Sequence, residues 1–177
     1  MSHDYVVIAF FDNKFAARQA ADAFRDWDKE RKDIKLGGCG VVVEKNGRLK
    51  THVGRWGGRE ARVGAVIGVI AAVFSGGLGL VGGAVARDVT GGVIGSFFRQ
   101  ARHLQERDFE IIMEALHAGK GLLLATCNGD ELNDTAERLK VLGGAVSAWE
   151  LPAGTLDETA KEMVDVTVVL EKGEANE

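Results

Sequence analysis

Val41-Val42-Val43-Glu44-Lys45-Asn46-Gly47-Arg48-Leu49-Lys50-Thr51-His52-Val53 reads as two strands joined by a two-residue turn. A type I′ turn needs positive φ at both central positions, and Asn-Gly accepts this most readily. Such a turn makes the strands antiparallel neighbours. It leaves no room for the helical crossover that parallel strands require, so a doubly wound sheet is excluded. In the second strand Leu49, Thr51 and Val53 alternate with Arg48, Lys50 and His52, so one of its faces is wet.

Upstream, Tyr5-Val6-Val7-Ile8-Ala9-Phe10-Phe11 is a short apolar run that reads as a buried strand. Asp12-Asn13 then offers a helix N-cap. Ala16, Ala20, Ala23, Phe24 and Trp27 recur at helical spacing with Arg18, Asp22, Arg25 and Asp26 between them, which predicts an amphipathic helix. Downstream, Phe98, Ala101, Phe109, Ile112, Met113 and Leu116 share one helical face, stopped by Gly119 and Gly121. Leu122 to Cys127 is another buried strand. Leu132 to Leu142 is a short helix ending at Gly143-Gly144. Ala145 to Leu151 is a strand candidate closed by Pro152. Thr155 and Glu158 have capping-box spacing. Val164 to Leu170 fits a strand or a continued helix equally well.

With the glycine-rich middle set aside, the order is β-α-β-β-α-β-α-β. The expected class is α+β. The expected fold is a ferredoxin-like βαββαβ sandwich with an inserted glycine-rich helical hairpin and an extra C-terminal helix and strand. Residues 1–56 form the first part of the sandwich and 57–98 the hairpin insertion. Residues 99–151 form the second part and 152–177 an acidic C-terminal tail.

The inserted segment holds 12 of the chain's 24 glycines between Gly57 and Gly95, and Val63 to Ala86 carries no charge. Gly64, Gly68, Ala72 and Gly76 lie four apart, and Gly79, Gly83, Gly91 and Gly95 repeat the register. Small residues at this spacing line one side of a helix and let another backbone approach closely. Each helical glycine costs about 1 kcal/mol relative to alanine, so the stripes call for a compensating contact. Ser75-Gly76-Gly77 invites a turn, which predicts two helices, 60–75 and 78–98, folded as a hairpin.

Three placements are consistent with this pattern. A single membrane span over Val63 to Ala86 has the necessary length, but it would put the flanking strands on opposite sides of a bilayer. A hairpin entering one leaflet would explain the basic residues Arg55, Arg59 and Arg62 before it and Arg99 and Arg102 after it. A hairpin buried against its own sandwich or a neighbouring subunit would explain Arg87 and Asp88 in the second arm. The last two placements make self-association the expected outcome.

Charge is unevenly distributed. Residues 108–177 hold 5 Lys+Arg against 15 Asp+Glu, and residues 55–107 hold 7 against 3. The acidic third opposes nucleic acid as a partner. Two isolated cysteines, Cys39 and Cys127, argue against a disulfide scaffold. They fit a reducing, cytoplasmic setting, with peripheral placement on the inner face of the plasma membrane as the membrane option. No signal peptide is visible at the N-terminus.

Ala9-Phe10-Phe11-Asp12, Phe15-Ala16-Ala17 and Val41 to Gly47 precede the glycine zipper, and Ala115-Leu116-His117-Ala118-Gly119-Lys120-Gly121 leads into an apolar strand. In this order the chain resembles the bacterial domain-of-unknown-function family 1269, often labelled "predicted membrane protein", over roughly residues 4 to 151. The resemblance implies a glycine-zipper protein loosely linked to membranes or stress, and it supplies no functional residue.

Chemical motifs are few. Gly77-x-Gly79-x-x-Gly82 matches a dinucleotide fingerprint in form, but no acid follows between Thr90 and Gln105 to hold a ribose. The four histidines do not pair at metal-ligand spacing, and no serine occupies a nucleophile elbow. No cofactor and no catalytic residue are expected. The expected function is non-enzymatic: self-association through the glycine zipper, with peripheral membrane contact as a variant. The alternative is a sensory domain whose hairpin encloses a lipid-like molecule.

Overall fold

The computed structural model describes residues 3–33, 36, 38–55, 60–74 and 106–161. In chain order the elements are β1 (His3–Phe11), α1 (Lys14–Glu30), β2 (Gly38–Lys45), β3 (Arg48–Arg55) and α2 (Glu60–Phe74). After them come α3 (Glu106–His117), β4 (Gly121–Asn128), α4 (Gly129–Val141), β5 (Ala145–Pro152) and a short α5 (155–161). The class is α+β. The five strands form one antiparallel sheet in the order β3-β2-β4-β1-β5.

The hairpin is as expected. Lys45 pairs with Arg48, and Asn46 and Gly47 take φ of 55° and 75°. Asn13 caps α1, its side chain accepting the Ala16 N–H at 2.8 Å. The sheet has helices on both faces. Alternate residues of the central strands therefore serve two cores. Val7, Ala9, Phe11, Leu123 and Ala125 meet Ala17, Ala20 and Phe24 of α1 and Leu139 of α4. Val6, Ile8, Val42, Leu122 and Leu124 meet α2, α3 and Leu156 of α5. This double burial is why β1 and β4 read as unbroken apolar runs, while β3 alternates.

The chain order alone predicts that the first four strands make the sandwich and that the last helix and strand are additions. The pairing is different. β5 pairs with β1 from His3–Pro152 to Phe10–Ala145, and β3 lies at the opposite edge beside β2. The physical reason is burial. β1 is apolar on both faces and takes a central place, whereas β3, with Lys50, Thr51 and His52 exposed, belongs at an edge. β4 follows the glycine-rich segment, yet it lies between β2 and β1, which precede it. Both flanks of the insertion therefore share one sheet, which overturns the single-span placement.

Two helix starts differ from expectation. α4 begins at Gly129 because Asn128 and Glu131 form a capping box. Asn128 Oδ1 accepts the Glu131 N–H at 3.1 Å, and Glu131 Oε2 accepts the Asn128 N–H at 3.0 Å. At α5 the expected box does not form: Thr155 lies inside the helix and its buried hydroxyl has no hydrogen-bond partner among the described residues. Gly154, at φ +87°, turns the chain instead, and its N–H donates to Asp4 Oδ2 at 3.2 Å.

Candidate functional site: the outer face of α2

α2 is the described part of the glycine-rich segment, and it matches the predicted first arm of the hairpin. It carries no charged residue after Arg62. Val63, Ala65, Val66, Ile67, Val69, Ile70 and Ala71 are all buried. Such a helix gains its stability from packing rather than from intrinsic propensity. It lies against β2, β3, β4 and α3.

The glycine that permits close packing against the sheet lies in the strand. A Cβ built at Gly40 would be 2.5 Å from Ile67 Cδ1 and 2.8 Å from Val63 Cγ1. Gly64 and Gly68 face elsewhere. Ala61 and Gly64 are exposed and Gly68 is half-buried, so the small-residue stripe looks away from the sheet. A Cβ at Gly64 would meet nothing within 4 Å among the described residues. Gly64 thus leaves backbone exposed on the outer side of α2, opposite the buried Val63, Val66, Ile67 and Ile70.

The two ends of α2 are held by different side-chain contacts. Near the N-terminal end, Arg62 grips Asp157 of α5 with two hydrogen bonds of 2.8 Å, and its guanidinium lies 3.7 Å from Asp4 of β1. The hydrogen bonds to Asp157 push the Arg62 pKa upward against the opposing effect of burial. At the C-terminal end, Phe74 stacks on His117 with ring centroids 5.2 Å apart. His117 Nδ1 lies 3.0 Å from Glu44 Oε2, an ion pair when the imidazole is protonated.

Of the expected contact residues, Gly64 and Gly68 are therefore brought to one outward face. Ala72 lies on α2 and Arg55 ends β3. Gly76, Gly79, Gly83, Gly91, Gly95, Arg59, Arg99 and Arg102, and with them the second arm, lie outside the described residues. Arg62 has its carboxylate partners within its own chain.

Sequence reasoning missed three glycines that set the layer spacing. Besides Gly40, a Cβ at Gly121 would be 2.5 Å from Ala17 Cβ and 3.0 Å from Asn13 O, and one at Gly144 would be 2.8 Å from Ala9 Cβ. The available signal was a glycine next to or within an apolar strand, which marks a close backbone approach.

Among the described residues no group of three His, Cys, Asp or Glu side chains is placed to hold a metal ion, and no helix is long and apolar enough to cross a membrane. Cys39 and Cys127 are buried. Burial pushes the Cys39 thiol up to about 12, which keeps it protonated and unreactive. Comparison with family models, with curated proteins and with solved structures finds no match to this chain.

Proposed function

We propose that the chain is a non-enzymatic, self-associating protein in which the glycine-lined outer face of α2 receives a glycine-lined helix of a second copy. One observation carries this reading. α2 buries its large side chains, yet it presents Gly64 to open space. A helical glycine that serves no contact is a standing cost of about 1 kcal/mol relative to alanine, and a packed helix backbone would offset it. Arg62 supports a protein contact over a lipid headgroup at this end of the helix, because Asp157 already holds its guanidinium. The strand order β5-β1-β4-β2 supports a ferredoxin-like core with β3 and the glycine-rich segment inserted. The likeness to family 1269 and any peripheral membrane role belong to the same proposal.

The test is light scattering on the full chain, with Gly64→Leu as the variant. Among the described residues nothing lies within 4 Å of a Cβ at Gly64, so the variant is expected to fold and to lose oligomer mass. Unchanged mass would end the proposal. Unchanged mass with a lowered Tm would also assign this face to another part of the same chain.

A further inference from the structure

A second feature lies on the opposite face of the sheet. A cleft of about 440 Å³ opens between α1 and the β2–β3 hairpin. Arg18 and Asp22 of α1 form one wall, Val41 and Val43 of β2 the floor, and Lys50 and His52 of β3 the other wall. The register explains the convergence. Val41 pairs with His52 and Val43 with Lys50, so the four side chains stand on one face of the sheet.

The charges in the cleft are not balanced. Asp22 is engaged by Arg25 at 2.8 Å. Arg18 and Lys50 are exposed and have no ion-pair partner among the described residues. Lysine on an edge strand does discourage edge-to-edge pairing. That role does not explain Arg18, which sits on a helix and brings a second cation to the same cavity. Two cations without an ion-pair partner among the described residues and an imidazole, above the side chains of Val41 and Val43, suit a small ligand with an anionic head and an apolar body. The volume lies within the usual range for such ligands, roughly 300–1,000 Å³.

We propose that this cleft binds a small organic anion, its phosphate or carboxylate head between Arg18 and Lys50 and its apolar body over Val41 and Val43. The guanidinium can grip such a head in bidentate fashion, and the ammonium adds a point charge. The site is independent of α2 and of self-association.

Amide shifts of the full chain, read by NMR during titration, test the proposal. The probes are 1-naphthyl phosphate, 1-naphthoate and neutral 1-naphthol. One or both anions should give saturable shifts at Asp22, Lys50 and His52, and the tighter anion identifies the head group. Affinity should fall about tenfold or more in Arg18→Gln/Lys50→Gln, whose exposed positions leave folding intact. Equal affinity in that variant, binding of 1-naphthol as tight as that of the anions, or no saturable shift with either anion would overturn the proposal.

Discussion

α1 and α2 pack on opposite faces of the same sheet and complete their burial in different ways. α1 is two-sided: Ala17, Ala20 and Phe24 go inward, while Arg18, Asp22 and Asp26 stay wet. Its cap, the Arg31 contacts to Asp33 and Asp134, and the Asp28 carboxylate accepting the Leu36 N–H at 2.7 Å fasten its ends. α2 has no charged residue after Arg62, and among its described residues Ala61 and Gly64 are exposed and Gly68 is half-buried. A wet face needs nothing further. A bare backbone face is tolerable in water and gains from being covered. The contrast separates a helix whose wet side is charged from one that offers bare backbone.

The contrast can be broken most severely on the α1 side. Gly121→Val would drive a side chain into Ala17 Cβ and the Asn13 carbonyl, and backbone cannot yield as a side chain can. A loss of about 3 kcal/mol in urea unfolding is expected. Gly40→Val meets Ile67 Cδ1 and Val63 Cγ1 instead. Those side chains can shift in part, so about 2 kcal/mol is expected, and a larger loss than at Gly121 would reverse the ranking of the two layers.

The α1-side core can also be probed by pH. The Cys39 thiol is raised by burial from about 9 to about 12, so the folded state holds this proton more tightly than the unfolded chain. Its contribution is complete below about pH 9 and is lost as pH rises toward 12, by at most about 1.4 kcal/mol per pH unit. Cys39→Ala should flatten the alkaline limb of the stability curve, and native protein at pH 8 should resist iodoacetamide at Cys39. Rapid labelling there would show that this core opens.

Smaller effects sharpen the comparison. Asn128→Ala removes the α4 capping box and should cost about 1 kcal/mol, with a matching fall in Tm. In protein diluted to the monomer, Gly64→Ala should act in the opposite direction, gaining up to about 1 kcal/mol, because its methyl group meets nothing among the described residues and alanine favours the helix. A loss at Gly64 in the monomer would mean that the outer face of α2 is covered by its own chain.

Asn46-Gly47, the Asn13 cap, the α1 stripe and the runs at β1 and β4 were legible because each depends on neighbours a few residues away. Asn128 and Glu131 were equally local, and the three-residue spacing that joins them is visible once the preceding strand is placed. Gly40 and Gly121 were harder. Their significance lies in Ile67 and Ala17, which are 27 and 104 residues distant in the chain. The direction in which Gly64 points was not available at all, since a stripe of small residues fits a packed face and an open one alike.

Local periodicity and turn chemistry thus established the class of the fold, the β2–β3 hairpin and the helical state of residues 60–74. Tertiary structure alone decided that β4 enters between β2 and β1, that β5 rather than β3 borders β1, and that α2 turns its glycines outward. Strand neighbours and helix rotation follow from burying the most apolar surface over the whole chain, and that balance is not written in any short stretch of it.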